Sequence, residues 1–241
     1  MVEPDIYAPR YVKDLFDRCG TRYRTWSLVS SFGFVAIWRW QCVKHMPPIA
    51  VKAGSGLDLM AGTGEAWPYV LKRFPGIASI TAVDISSEMN RRALDRLHRV
   101  RAHKINLIEA DVLENDMPAG VADFAISTFG MKTFNAAQHA AFARELARLL
   151  KPGGVFSIVE ASDPKGWWLR GLYQFYLHRV IPLVEKTVLR GAQDFSMIGT
   201  YTSNFGDCRS LAAALAAEGL DVAFKSYFFG CATGVVGRKP L

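Results

Sequence analysis

Three short stretches hold residues suited to binding a charged or hydroxylated ligand. Leu57-Asp58-Leu59-Met60-Ala61-Gly62-Thr63-Gly64-Glu65 passes from an apolar strand pattern through a glycine-rich turn into a helical pattern. Such a turn lets backbone approach a ligand closely, and the free N–H groups of the helix start carry positive potential. About twenty residues further on, Thr81-Ala82-Val83-Asp84 closes a second apolar run, the place where an acid accepts from ribose hydroxyls. The competing role for Asp84 is a cap on the helix that starts near Ser86. A third run ends in Ala110-Asp111-Val112, which puts Asp111 within reach of an adenine amine. Groups at successive strand ends meet at the carboxyl edge of a parallel sheet, where such sheets bind ligands.

The turn departs from Gly-x-Gly-x-x-Gly, and Glu65 stands beside it. A carboxylate there opposes a pyrophosphate and tolerates a cation. Spacing alone leaves the identity of the cofactor open.

The elements that position these residues alternate in β and α patterns, the signature of a doubly wound α/β sheet with helices on both faces. Strands are expected over 56–60, 79–84, 106–110, 124–127 and 155–160, with helices over 65–73, 87–101 and 136–150. Lys151-Pro152-Gly153-Gly154 should stop the last helix and turn the chain into the next strand. Residues 11–46 read as an N-terminal helical lid of two helices broken near Gly20, and 165–206 as an inserted helical segment rich in aromatics. The tail reads as a helix over 210–219 and an antiparallel hairpin of strands 221–229 and 231–238 joined at Gly230. One domain, 1–241, accommodates all of this.

Half the residues are hydrophobic and 21% are charged, a globular composition. The longest apolar runs, 28–38 and 157–161, fall well short of the roughly 20 residues that cross a bilayer. No secretion-type leader opens the chain, so the expected location is cytoplasmic. Cys19, Cys42, Cys208 and Cys231 lie far apart without a Cys-x-x-Cys pair, which argues against a metal site and a disulfide framework. The net charge of +7 is dispersed rather than blocked, and nucleic acid is not an expected partner.

The chain resembles the ubiquinone/menaquinone biosynthesis C-methyltransferases over residues 11–239. The likeness rests on Val12-Lys13-Asp14-Leu15-Phe16-Asp17-Arg18, Arg22-Tyr23, Ser31-Phe32-Gly33 and Trp38-Arg39-Trp40. It continues in Thr128-Phe129-Gly130-Met131-Lys132-Thr133-Phe134, Leu150-Lys151-Pro152-Gly153-Gly154, Glu160-Ala161-Ser162-Asp163-Pro164 and Thr233-Gly234-Val235-Val236. It implies a class I, Rossmann-like methyltransferase with seven mostly parallel strands in the order 3-2-1-4-5-7-6. It further implies S-adenosylmethionine as cofactor, held by Asp58, Ala61, Gly62, Gly64, Asp84, Ile85, Met89, Asp111, Val112 and Thr128. Three positions depart from the family pattern. Ala61 replaces the first glycine of the loop, Lys132 replaces an arginine, and Thr200-Tyr201-Thr202-Ser203 stands where the family has Glu-Ser-Ile-Arg. The last change removes charges that could orient a quinol, so a different acceptor is expected.

Methyl transfer is an in-line displacement that needs alignment and exclusion of water rather than a protein nucleophile. A base helps where the acceptor is a phenol or enol, and Tyr201, His178, Glu160 and Lys132 are the candidates. Their structural readings are a half-buried tyrosine, a hydrogen-bonded histidine on an aromatic helix, and a strand-end cap for Glu160. Tyr23, Trp26, Phe32, Trp167, Trp168, Tyr173, Phe175 and Tyr176 could roof an apolar acceptor pocket. With Lys165, Arg170 and Arg179, the same segment suits peripheral contact with an anionic membrane. The expected acceptor is an apolar or amphiphilic small molecule, a quinone precursor or a specialised metabolite, methylated at carbon. The alternative is a protein of this fold that binds the cofactor and catalyses a cyclisation. Oligomeric state stays open, a homodimer included.

Overall fold

In the computed structural model, residues 4–19, 23–49, 54–100, 104–188, 194 and 196–241 are described. Gly20, Arg22 and the expected helix end at 101 lie outside them, as does the side chain of Tyr23. Seven strands form one sheet: β1 (Ser55–Leu59), β2 (Ser79–Asp84), β3 (Ile105–Glu109), β4 (Ala122–Thr128), β5 (Leu150–Ala161), β6 (Asp221–Tyr227) and β7 (Ala232–Arg238). Their order is β3-β2-β1-β4-β5-β7-β6. The first five run parallel, and β7 is antiparallel to both β5 and β6.

Period-two alternation sorts the strand side chains between the two faces. On one face Leu57, Leu59 and Ala125 pack with Phe142 and Leu146 of α6 (Ala136–Leu149) and Leu211 and Leu215 of a later helix (Arg209–Ala217). On the other, Ile80, Ala82, Phe124 and Ile126 meet Val43, Trp67, Val70 and Ala93. Those last four belong to α3 (Phe34–His45), α4 (Trp67–Arg73) and α5 (Ser87–Val100). Gly56 is required here, because a Cβ at that point would lie 2.2 Å from the Phe124 ring.

Several boundaries differ from the sequence expectation, each for a local reason. Among the described residues, the N-terminal segment comprises three helices, α1 (Pro9–Cys19), α2 (Tyr23–Ser30) and α3. The additional break falls at Phe32 and Gly33, whose φ angles of 51° and 82° are left-handed. Helix α4 starts at Trp67 rather than Glu65, with Pro68 in its first turn, where a missing N–H costs nothing. Strand β5 begins at Leu150 and includes the Lys-Pro-Gly-Gly segment, because Leu150 already pairs with Ala122 across a bulge. Strand β6 ends at Tyr227, since Phe228 and Phe229 (φ 42° and 57°) leave the extended region in a short 3-10 turn, Phe228–Gly230.

The segment after β5 is helical: α7 (Arg170–Phe175), a π turn (Tyr176–Val180), α8 (Ile181–Val188) and α9 (Met197–Phe205), followed by α10 (Arg209–Ala217). Among the described residues, no helix is long and apolar enough to cross a membrane.

Candidate active site

The glycine turn after β1 and the end of β2 are tied together. The Gly62 amide donates to Asp84 Oδ2 at 2.7 Å, while Ser86 N donates to Asp84 Oδ1 at 2.9 Å. Burial pushes the Asp84 carboxyl up to about 6 against the pull of these two amides, with nearby Asp17 raising it further. The cap of α5 falls to Ser86, whose Oγ accepts from Met89 N at 3.1 Å, and Asp84 forms an Asx turn ahead of the helix; Asp84 also lines a cleft of about 790 Å³, counting its open mouth. Ala61, Gly62, Ile85, Met89, Asp111, Val112 and Thr128 line it too. Asp111 is held by an Asx turn, its Oδ1 accepting from Leu113 N at 2.9 Å.

Asp58 and Gly64 are not in the lining. Asp58 is buried behind the turn, where its Oδ2 accepts from Trp67 Nε1 at 2.8 Å and its Oδ1 has no partner. Burial raises its carboxyl to about 7. Gly64 (φ 75°) covers the Trp67 ring, which a Cβ would meet at 2.4 Å. Both positions shape the turn from beneath.

Glu65 does not offer an uncompensated charge. Its carboxylate lies 3.5 Å from Arg39 and 3.5 Å from Arg96, both largely buried, and Thr63 Oγ1 donates to it. Arg39 lines the same cleft, and its Nε is buried without a hydrogen-bond partner. Sequence reasoning placed Arg39 in the N-terminal helices and did not single it out. It likewise missed Tyr7, whose ring lines the cleft from a strap before α1. That strap is fixed by Tyr201 Oη donating to Ile6 O at 2.5 Å and Gln138 Nε2 donating to Tyr7 O at 2.9 Å. No sequence pattern marks these contacts, which join residues more than 130 positions apart. Helix α1 also docks on the β2–α5 loop, where Lys13 Nζ donates to Ile85 O at 3.1 Å and Asp17 accepts from Ser86 Oγ at 2.6 Å.

A second, apolar cavity of about 1390 Å³, counting its open mouth, lies beside the cleft. Its walls come from α2, α3 and α7 through α9, and include Phe32, Trp38, Trp167, Tyr173, Phe175 and Tyr176. Phe129 lines both spaces. It sits at the end of β4 with φ 68°, Arg39 Cζ 5.1 Å from its ring centroid and Trp38 at 6.3 Å. Met60, at the end of β1, is also left-handed (φ 58°) and lines the cleft. Two strained non-glycine residues at adjacent strand ends are the kind of backbone cost that functional sites retain.

Of the four candidate bases the structure brings only Lys132 and Glu160 into contact. Tyr201 is buried outside both large cavities; its hydroxyl is committed to Ile6 O, and burial raises its pKa further from the range of a base. His178 is exposed, with Nε2 at 2.9 Å from Ser203 Oγ, and lines neither cavity. Glu160 is fully buried, its oxygens taken by Lys132 Nζ (2.8 Å), Lys132 N (3.1 Å) and Ala161 N (2.7 Å), so it has no reach toward a substrate. Lys132 is the one of the four that lines the apolar cavity. Of the proposed roof, neither Trp26 nor Trp168 lines the cavity: Trp26 packs with Leu177 and Ile181, and Trp168 is turned to solvent at 85% exposure.

A parallel α/β sheet with this antiparallel end, and a cleft at its carboxyl edge lined by Asp84 and Asp111, is the architecture of the class I S-adenosylmethionine-dependent methyltransferases. The pattern of the ubiE/COQ5 methyltransferase family matches residues 6–239, and the chain belongs to that family. It is 32% identical over 180 residues to a ubiquinone/menaquinone biosynthesis C-methyltransferase of Syntrophotalea carbinolica, covering 75% of this chain and 73% of that protein. A demethylmenaquinone methyltransferase of Lysinibacillus sphaericus is 27% identical, covering 96% and 97%. A solved Thermotoga maritima structure, described as an S-adenosylmethionine-dependent methyltransferase and possible histamine N-methyltransferase, superposes with a TM-score of 0.62 at 16% identity, covering 94% and 99%. The protein is an enzyme whose cofactor is S-adenosylmethionine.

Proposed function

We propose that the enzyme methylates a lipophilic small molecule at carbon, with the cofactor in the cleft and the acceptor in the apolar cavity. The observation that carries this reading is Phe129, the shared wall of the two spaces. A bound cofactor supplies an electrophilic methyl group on a cationic sulfur. Asp84 accepts from the ribose hydroxyls, Asp111 and Val112 border the adenine, and Ile85 and Met89 pack the nucleoside. Ala61, Gly62 and Thr128 leave the backbone close to the methionyl part, while Asp58 and Gly64 hold the turn in shape. Arg39, buried with an unpartnered Nε, suits the methionyl carboxylate.

The residues of the second cavity exclude water and hold a flat or branched apolar body. Its lining includes exposed Phe32, Leu172, Phe175 and Phe228, and Arg24, Lys165 and Arg179 lie on the same segments, while Arg170 is balanced by Asp163. That combination favours an enzyme resting against an anionic membrane and collecting its acceptor there. No observation favours cyclisation over transfer.

The test is incubation of the purified enzyme with S-adenosylmethionine and a panel of quinols, isoprenoids and polycyclic phenols. Mass spectrometry should find S-adenosylhomocysteine in equal amount to an acceptor heavier by one methyl group in place of one hydrogen. Product formed without S-adenosylhomocysteine would instead support the cyclisation alternative.

A further inference from the structure

The cofactor cleft and the apolar cavity share one side chain among the described residues, the ring of Phe129. The backbone that carries it is pinned on both sides: Phe129 N donates to Val159 O at 2.9 Å, and Phe129 O accepts from Lys132 Nζ at 3.0 Å. Its φ of 68° is a conformation that phenylalanine adopts only where its surroundings impose it. Gly130, the next residue, leaves no slack, because a Cβ there would lie 2.6 Å from Sδ of Met60, which lines the cleft. The frame between the ends of β1 and β4 is therefore fixed, and the width of the opening falls to the side chain at 129. Arg39 Cζ at 5.1 Å, Lys132 Nζ at 5.9 Å and the Trp38 ring at 6.3 Å from its centroid hold that ring in place.

Methyl transfer requires the sulfur, the methyl carbon and the accepting atom to lie on one line. With the cofactor in the cleft and the acceptor in the cavity, that line crosses the boundary at Phe129. A group carried on the sulfur passes beside the ring, so added bulk at 129 closes the route and lost bulk widens it.

We propose that Phe129 is the aperture residue of the enzyme: the volume of its side chain decides how far a group on the cofactor's sulfur reaches into the apolar cavity, and so which acceptor atoms the methyl meets. This rests on the two-site reading of the cleft and the cavity. The ring moves no proton and supplies no charge; its contribution is shape. A larger side chain leaves each space able to bind its own ligand and blocks the passage between them, whereas a smaller one admits groups larger than methyl.

The experiment titrates the enzyme by calorimetry with 5′-methylthioadenosine and 5′-octylthioadenosine, in wild type, F129A and F129W. The adenosine part occupies the cleft, and the octyl chain must cross at Phe129 to reach the cavity, where it should displace the fluorescent probe N-phenyl-1-naphthylamine. Octyl should bind wild type at least about tenfold tighter than methyl, since each buried methylene is worth about a factor of four. That advantage should grow about threefold in F129A and fall to about twofold or less in F129W, with 5′-methylthioadenosine bound by all three proteins within about threefold. A merely structural role for the ring would weaken both ligands together, and a gain for octyl alone in F129A carries the test even where F129W melts early. An octyl advantage equal in all three proteins overturns the aperture and leaves the two-site reading intact. The chain would then run through a smaller cavity between α1 and α9, which shares Phe16 and Thr133 with the cleft and Lys132 and Ile198 with the apolar cavity. No octyl advantage in wild type, with N-phenyl-1-naphthylamine undisturbed, overturns the two-site reading and the aperture with it.

Discussion

Gly62 N donates to Asp84 Oδ2 at 2.7 Å, so the turn after β1 and the acid at the end of β2 form one unit although 22 residues separate them. Replacing Asp84 with asparagine removes the charge that strengthens hydrogen bonds to hydroxyl donors. S-adenosylmethionine affinity should fall by roughly ten- to a hundredfold, about 1.5–3 kcal/mol, measured by calorimetry. With the Asp84 carboxyl at about 6, cofactor binding to wild type should also weaken as pH drops below that value.

Asp58 gives a stability signal of opposite direction to that of an ordinary paired acid. Its carboxyl, raised to about 7 by burial, holds a proton in the folded state that the unfolded chain releases near 3.8. Stability associated with that proton is complete below about 3.8 and is lost as pH rises toward 7. Asp58→Asn retains an acceptor for Trp67 Nε1 and carries no charge. Its melting temperature relative to wild type should rise from pH 4 and level off above about pH 7, by an amount on the order of 2–4 kcal/mol in stability. A flat difference across that range would show Asp58 to be ionised in the folded protein.

Lys132 and Glu160 should behave as a buried ion pair. Lys132→Met leaves a buried carboxylate alone and should cost about 3–5 kcal/mol in urea unfolding, whereas Lys132→Met with Glu160→Gln should recover a substantial part. Equal losses in both variants would mean that packing, not charge, holds the site.

Tyr201→Phe separates a tether from a base. Loss of one buried hydrogen bond to Ile6 O should weaken cofactor binding about fivefold, with kcat at saturating cofactor within about twofold of wild type. A general base would show the reverse, a kcat loss of a hundredfold or more.

Arg39→Met should weaken S-adenosylmethionine binding about tenfold, while decarboxylated S-adenosylmethionine should bind both proteins alike. Parallel losses with both ligands would place the guanidinium away from the carboxylate.

The strand-end acids, the glycine turn and the Rossmann-like class were legible in the chain itself, because each depends on local order. Short apolar runs, turns of glycine and proline, and an acid at the end of a run are properties of neighbouring residues, and they set where Asp84, Asp111 and Gly62 would stand. The antiparallel tail was legible for the same reason. The acceptor side was not. Tyr201, His178 and Glu160 are residue types that can act as bases, yet only packing decided that one hydroxyl would hold Ile6, one ring would face Ser203, and one carboxylate would be enclosed by Lys132. Arg39 and Tyr7 reach their places through contacts between segments far apart in the chain. Whether a buried polar atom is satisfied depends on every element around it, so no local pattern could reveal the unpartnered Arg39 Nε or the Phe129 wall between the two cavities.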